Sequence, residues 1–203
     1  MAVSDLLVRR SWILRTTIAL PLLAAVLAGC GTAAKNDTFD LSAPVTGSGP
    51  PAKRVQILVQ QPTALSALDS EQIVVRVSAS GIEYLAKSQW SDKLPRMVQS
   101  KLVEAYENSG KLAGVGMPGQ GLAIDFQVVT DIRAFEINTA GGSRAVVEIS
   151  AKILNDRNGS VRAQKVFSQT VPAGGGAAGF VKALDRAFAV VAGEIVDWTL
   201  RSI

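Results

Sequence analysis

Histidine is absent from the 203 residues, and cysteine occurs once, at Cys30. The first absence removes His-based catalytic triads, Cys–His dyads and nearly every zinc enzyme, because each uses the imidazole ring as base or ligand. The second removes any disulfide within the chain. Runs of like charge are missing too. The 21 basic and 17 acidic residues are dispersed and leave a formal charge of +4, so a nucleic-acid binder's electrostatic footprint is missing. A catalyst made from the remaining residue types needs a carboxylate pair or a Ser–Lys pair. Asp125 and Glu148, on the polar faces of two strands, are the candidates for such a pair. Isolated acids on a strand face are far more often solvated surface, so the sequence points away from an enzyme.

What is present begins at the N-terminus. Arg9, Arg10 and Arg15, with Asp5 the one acid, precede the apolar run Ile18–Ala28. That is the charged n-region and short h-region of a secretory signal. The run is too short to span a bilayer, which takes ~20 apolar residues. It ends in Leu27-Ala28-Gly29-Cys30, which resembles the lipobox of bacterial lipoproteins. Small residues before the cut fit a peptidase cleft, and the thiol is the segment's one nucleophile able to take a diacylglycerol. The expectation is cleavage before Cys30 and a lipid on that cysteine, with no other cofactor and no metal. Acyl burial contributes ~0.8 kcal/mol per CH₂, and more than one chain gives stable anchoring. Gly31 stands where an Asp would signal inner-membrane retention. The expected location is therefore the periplasmic face of the outer membrane, with the inner membrane's periplasmic face as the alternative. Arg9-Arg10 in Arg9-Arg10-Ser11-Trp12-Ile13-Leu14 also resembles a twin-arginine signal, so both export routes stay open.

Without residues 1–29 the chain loses three arginines and one aspartate, leaving 174 residues with 18 basic and 16 acidic side chains. That is one domain's length. Residues 30–53, rich in Gly and Pro from Gly47 to Pro51, read as a lipidated tether with one short strand near Thr38–Leu41. Fully extended, such a tether reaches roughly 75 Å at ~3.3 Å per residue.

Residues 54–203 read as a single globular domain. Val55, Ile57 and Val59 alternate with Arg54, Gln56 and Gln60, a period-two strand. Ile73, Val74, Val75 and Val77 form a second. Leu94, Met97, Val98, Leu102, Ala105 and Tyr106 recur at helical spacing over 92–108, with Pro95 in the first turn and Ser109-Gly110 at the end. Residues 122–132 and 145–153 alternate again. Asn158-Gly159 turns the chain into a last strand, Val161–Val171. A closing helix over 178–200 is apolar around most of its circumference, which predicts burial on more than one side or a partner. The expected fold is α/β: a mixed, largely antiparallel sheet of five or six strands with two long helices, in the order β-β-β-α-β-β-β-α.

Two glycine motifs have the GxGxxG spacing. Gly114–Gly119 lies between a helix and a strand, the wrong order for a phosphate loop. Gly174–Gly179 follows a strand and opens a helix, but the helix runs to the end of the sequence, so no second strand follows to complete a dinucleotide fold. Both read as flexible loops, 112–121 and 173–179, with a phosphate or lipid headgroup at the N-terminus of the closing helix as the alternative for the second. Trp198 reads as core; Trp90 reads as core or interface.

The body resembles the ABC-type transport auxiliary lipoproteins, the PqiC-like partners of MCE lipid-transport systems. Thr38-Phe39-Asp40-Leu41 is similar to the family's short aromatic-x-Leu strand. Ile82-Glu83-Tyr84 followed by Trp90, then Leu94-Pro95 opening a helix that ends at Ser109-Gly110, is the most specific likeness. Ala183-Leu184, Ala187-Phe188 and Trp198 follow the family's closing helix. The resemblance implies a non-catalytic accessory that works with an MCE-domain protein, an ABC permease and an ATPase to move lipid or another apolar solute between membranes. It also implies a homo-oligomeric ring as a candidate assembly. The competing expectation is a structural or regulatory outer-membrane lipoprotein that contacts a cell-envelope enzyme.

Overall fold

Ala145, Val147, Ile149, Ala151 and Ile153 are all fully buried, so the period-two pattern marks one face of a strand turned into the core. The computed structural model describes residues 36–42 and 48–203. In chain order these form β1 (Asp37–Phe39), β2 (Ala52–Val59), β3 (Thr63–Ala64), β4 (Gln72–Arg76), β5 (Ile82–Trp90), α1 (Leu94–Ser109), β6 (Leu112–Gly116), β7 (Phe126–Asn138), β8 (Arg144–Asn155), β9 (Val161–Pro172) and α2 (Gly176–Ser202).

The strands make one mixed sheet centred on β7. On one side β7 pairs with β8, and β8 with β9; these antiparallel ladders are the longest in the molecule. On its other side β7 takes three parallel partners end to end: β2 beside Phe126–Val128, β3 beside Asp131–Ile132, and β4 beside Glu136–Asn138. β6 extends the sheet from β2, and β5 then β1 extend it from β4. The expected class holds, but the sheet has nine strands rather than five or six. Local irregularity hid the extra ones. β5 carries Lys87 at φ 54° and a register shift against β4, and only Ser88 and Trp90 of its nine residues are buried, so it shows no clean alternation. β6 is the glycine-rich stretch Leu-Ala-Gly-Val-Gly, which had read as loop. The strand expected from Leu122 begins instead at Phe126.

α1 and α2 pack on the sheet and on each other. α1 buries Leu94, Met97, Val98, Leu102, Ala105 and Tyr106, the positions its period predicts, and ends where Gly110 takes φ 58° and donates to the Glu107 carbonyl. α2 buries Leu184, Ala187, Phe188, Val191, Ile195 and Val196 against the sheet. Trp90 is core, edge-on to Phe135 at 5.8 Å, and Phe135 meets Phe188 at 5.9 Å. Trp198 is half-buried, edge-on to Phe167.

The segment expected to be a free tether is part of this body wherever it is described. β1 lies in the sheet beside β5. Leu41 is 2% exposed, and a Cβ on Gly49 would meet the Leu200 side chain at 2.7 Å. Residues 36–42 and 48–53 therefore belong with 54–203 in one unit, Asn36–Ile203. The composition of 30–53 resembles a linker, but of its described residues Leu41 is buried and Phe39 packs against the core.

Candidate functional site

The residues expected to process and carry the lipid, Leu27, Ala28, Gly29 and Cys30, lie outside the described residues, as does the whole signal segment 1–29. The described chain starts at Asn36, whose side-chain amide donates to Gln89 Oε1 at 2.8 Å. Two aspartates of α2 then hold the incoming segment. The Ser42 N–H and hydroxyl donate to the two carboxylate oxygens of Asp185, at 2.8 and 2.6 Å. The Gly49 N–H and Ser48 hydroxyl donate to Asp197 at 2.8 and 3.0 Å. No local sequence signal marks these pairs, which join residues more than 140 positions apart. The apolar circumference of α2 was a partial signal: the helix packs against the sheet, against α1 and against this segment.

The acid pair is not brought together. Asp125 accepts from the Gln56 backbone N–H at 3.0 Å and faces Arg157 at 3.9 Å. Glu148 lies opposite Ala134, far along β7, and faces Arg133 at 3.9 Å. Each has a structural partner. Among the described residues no three His, Cys, Asp or Glu side chains are grouped to hold a metal, and no helix is long and apolar enough to cross a membrane.

An open groove of about 390 Å³ lies at the start of α1, lined by Asp40, Ser91, Asp92, Arg96, Lys101 and Met117 among others. Its cations have acidic neighbours: Arg96 meets Asp92 at 3.3 Å and Lys101 meets Asp40 at 4.0 Å within the groove wall, and Lys101 also meets Glu104 at 3.5 Å. On the sheet face away from the helices, Arg76 forks onto the carboxylate of Glu136, which is buried. The hydrogen bond it donates to Glu136 raises the Arg76 guanidinium above its ordinary value, against the opposing effect of burial. Between the helices, burial raises the Tyr106 phenol, and its 2.7 Å hydrogen bond with Thr199 Oγ1 partly offsets that. Thr130 Oγ1 is buried with no partner. These groups organise the body; none is poised as acid, base or nucleophile.

The two glycine motifs are structural. Gly114 and Gly116 lie in β6. At the second motif, Gly179 packs directly on the loop before α2: a Cβ there would stand 2.9 Å from the Gly174 carbonyl carbon. The glycines let the chain turn tightly into the helix.

Against known proteins, residues 27–196 match the family described as ABC-type transport auxiliary lipoprotein component. The uncharacterised protein bll6063 of Bradyrhizobium diazoefficiens is 31% identical over 186 residues, which is 87% of this chain and 48% of that protein. The chain thus spans about half the length of that relative. The crystal structure of protein XCC0632 from Xanthomonas campestris superposes with a TM-score of 0.76 at 28% identity, covering 82% of this chain and 96% of that one. A further uncharacterised crystal structure shares the fold, with a TM-score of 0.64 at 16% identity over 81% of this chain and 99% of that one. A match extending from residue 27 through most of α2 places the chain in the ABC-type transport auxiliary lipoprotein family.

Proposed function

We propose that this chain is the lipid-anchored, non-catalytic accessory of an ABC transport system, held at the periplasmic face of the outer membrane through a lipid on Cys30. Its partners are an MCE-domain protein, a permease and an ATPase, and the cargo is phospholipid or another apolar solute moved between the membranes. The observation that carries this is the span of the family match, 27–196. It opens inside Leu27-Ala28-Gly29-Cys30 and continues through the folded body, so lipobox and body travel as one unit. Gly31 supports the outer membrane over the inner. Self-association into a ring would use β9, a 12-residue strand with β8 as its one described neighbour and exposed Val161 and Val166; an unpaired edge is a template for another chain.

The test is affinity purification of the full lipoprotein from its own membranes, with the co-purifying proteins and lipids identified. Recovery of an MCE-domain protein with its permease and ATPase, and phospholipid above the detergent background, is the expected result. Recovery of cell-wall enzymes without any transporter subunit overturns the transport role and favours a structural one.

A further inference from the structure

Ile82, Arg76, Asn138, Arg144 and Pro172 form one row of register partners across β5, β4, β7, β8 and β9. Three segments leave the sheet from this row. They are 77–81 (Val-Ser-Ala-Ser-Gly), 139–143 (Thr-Ala-Gly-Gly-Ser) and 173–175 (Ala-Gly-Gly), the last continuing into the first turn of α2, and none contains a charged residue. Backbone bonds hold them to the sheet end: the Thr139 N–H donates to the Arg76 carbonyl at 2.9 Å, and the Ala173 N–H to the Ser143 carbonyl at 3.0 Å. Three large apolar side chains, Val77, Ile82 and Tyr84, are exposed here at 39, 40 and 43%. The opposite end of the same strands carries two charged residues, Asp156 and Arg157, in the turn from β8 into β9, where Arg157 faces Asp125, and one exposed apolar side chain, Val161 at 56%.

The route of the incoming chain selects between these ends. β1 runs parallel to β5 with Asp37 opposite Ser88, so upstream of Asp37 the strand points towards Ile82 and the row from which the uncharged segments leave. Cys30 precedes Asn36 by six residues, a reach of at most ~20 Å. Gln89, beside Asn36, pairs with Gln72 at the start of the five-residue β4, which puts Asn36 ~13 Å from the row. The far end of the 13-residue β7 is ~40 Å from the row, and hence ~27 Å from Asn36. A lipid on Cys30 can reach the plane of the uncharged loops but not the charged end.

We infer that this end of the sheet is the surface that rests on the bilayer, with loops 77–81, 139–143 and 173–175 in the headgroup layer and Val77, Ile82 and Tyr84 making the apolar contact. The inference rests on the lipid anchor at Cys30. Loops of small uncharged residues approach headgroups without stripping water from an ion, and tyrosine suits a surface that is apolar below and wet above. The charges at this end are Arg144 in the row, Glu83 beside it and Arg186, which donates to the Pro172 carbonyl at 3.0 Å, while Arg76 is paired with Glu136.

Acylated Cys30 leaves the mature chain without a free thiol, so a single introduced cysteine is labelled uniquely. The full lipoprotein carrying Val77→Cys, Ala140→Cys or, as the far-end control, Val161→Cys is purified with its anchor, and acylation is confirmed by intact mass. Each is labelled with bimane and placed in phosphatidylethanolamine–phosphatidylglycerol vesicles containing a headgroup nitroxide lipid. The expected result is at least twofold stronger quenching at 77 and 140 than at 161. Equal quenching at both ends, or more at 161, on acylated protein overturns the orientation and leaves the anchor standing. An unacylated mass removes the anchor itself, and the orientation with it.

Discussion

Ser42 and Asp185 are 143 residues apart in sequence, yet the backbone N–H and hydroxyl of the first meet both carboxylate oxygens of the second. The contact straps the described segment 36–42, which composition presents as a loose linker, onto α2. Asp185→Ala removes both acceptors. It is expected to lower stability by about 1 kcal/mol, the order of an exposed charge-assisted pair, and to open residues 36–53 to protease. Urea unfolding with limited proteolysis checks both; a strap that stays resistant in the variant would show that β1 and Leu41 hold it alone.

Tyr106 and Thr199 share the buried hydrogen bond between the helices. Tyr106→Phe leaves the Thr199 hydroxyl without its partner and is expected to cost about 1–2 kcal/mol. The double variant with Thr199→Val should lose less than the sum of the two single variants. The pair also gives a pH signature. The folded protein holds the phenol's proton to higher pH than the unfolded chain does, whose tyrosines ionise near ~10. The stability from this group is therefore complete below pH ~10 and falls as pH rises above it, by up to ~1.4 kcal/mol per pH unit. The stability gap between wild type and Tyr106→Phe should narrow above pH 10. Parallel pH profiles would contradict the assignment.

Thr130 has its hydroxyl in the core with nothing to bond. Thr130→Val keeps the shape and replaces the stranded oxygen with a methyl group. It is expected to raise stability by about 1 kcal/mol, read as a higher urea midpoint with an unchanged slope. A lower midpoint would mean that the hydroxyl has a partner in solution.

Gly179 and Gly175 separate a packing role from a ligand-binding role for the second glycine motif. Gly179→Ala pushes a Cβ into the Gly174 backbone and should destabilise by about 1–3 kcal/mol. Gly175→Ala, at φ −74° with no heavy atom within 4 Å of the added carbon, should be nearly neutral. Thermal unfolding of both variants distinguishes them; equal losses would argue against the close approach.

The long regular elements were legible because their burial is one-sided. The alternation in β7 and β8 and the 3.6 period in α1 appear in the sequence as they do in the fold. β5 was not legible as a strand: the bulge at Lys87 breaks its period, and its importance showed only as a string of family residues. The structure explains that string. Trp90 seats β5 in the core against Phe135, and Leu94-Pro95 begins α1. The strap was illegible for a different reason. Its hydrogen bonds to Asp185 and Asp197 come from short polar residues and backbone, which any linker contains. The row joining the three uncharged loops emerges only from strand register, since the loops are scattered between residues 77 and 179.

The most direct measurement is the intact mass and N-terminus of the wild-type protein extracted from membranes, beside Cys30→Ala. A wild-type chain beginning at Cys30 and carrying acyl mass on that residue, with Cys30→Ala lost from the membrane fraction, is the predicted result. A chain beginning elsewhere with a free Cys30 thiol, or a Cys30→Ala protein that stays membrane-bound after high-salt and carbonate washes, would contradict the anchor, and with it the proposed role and orientation.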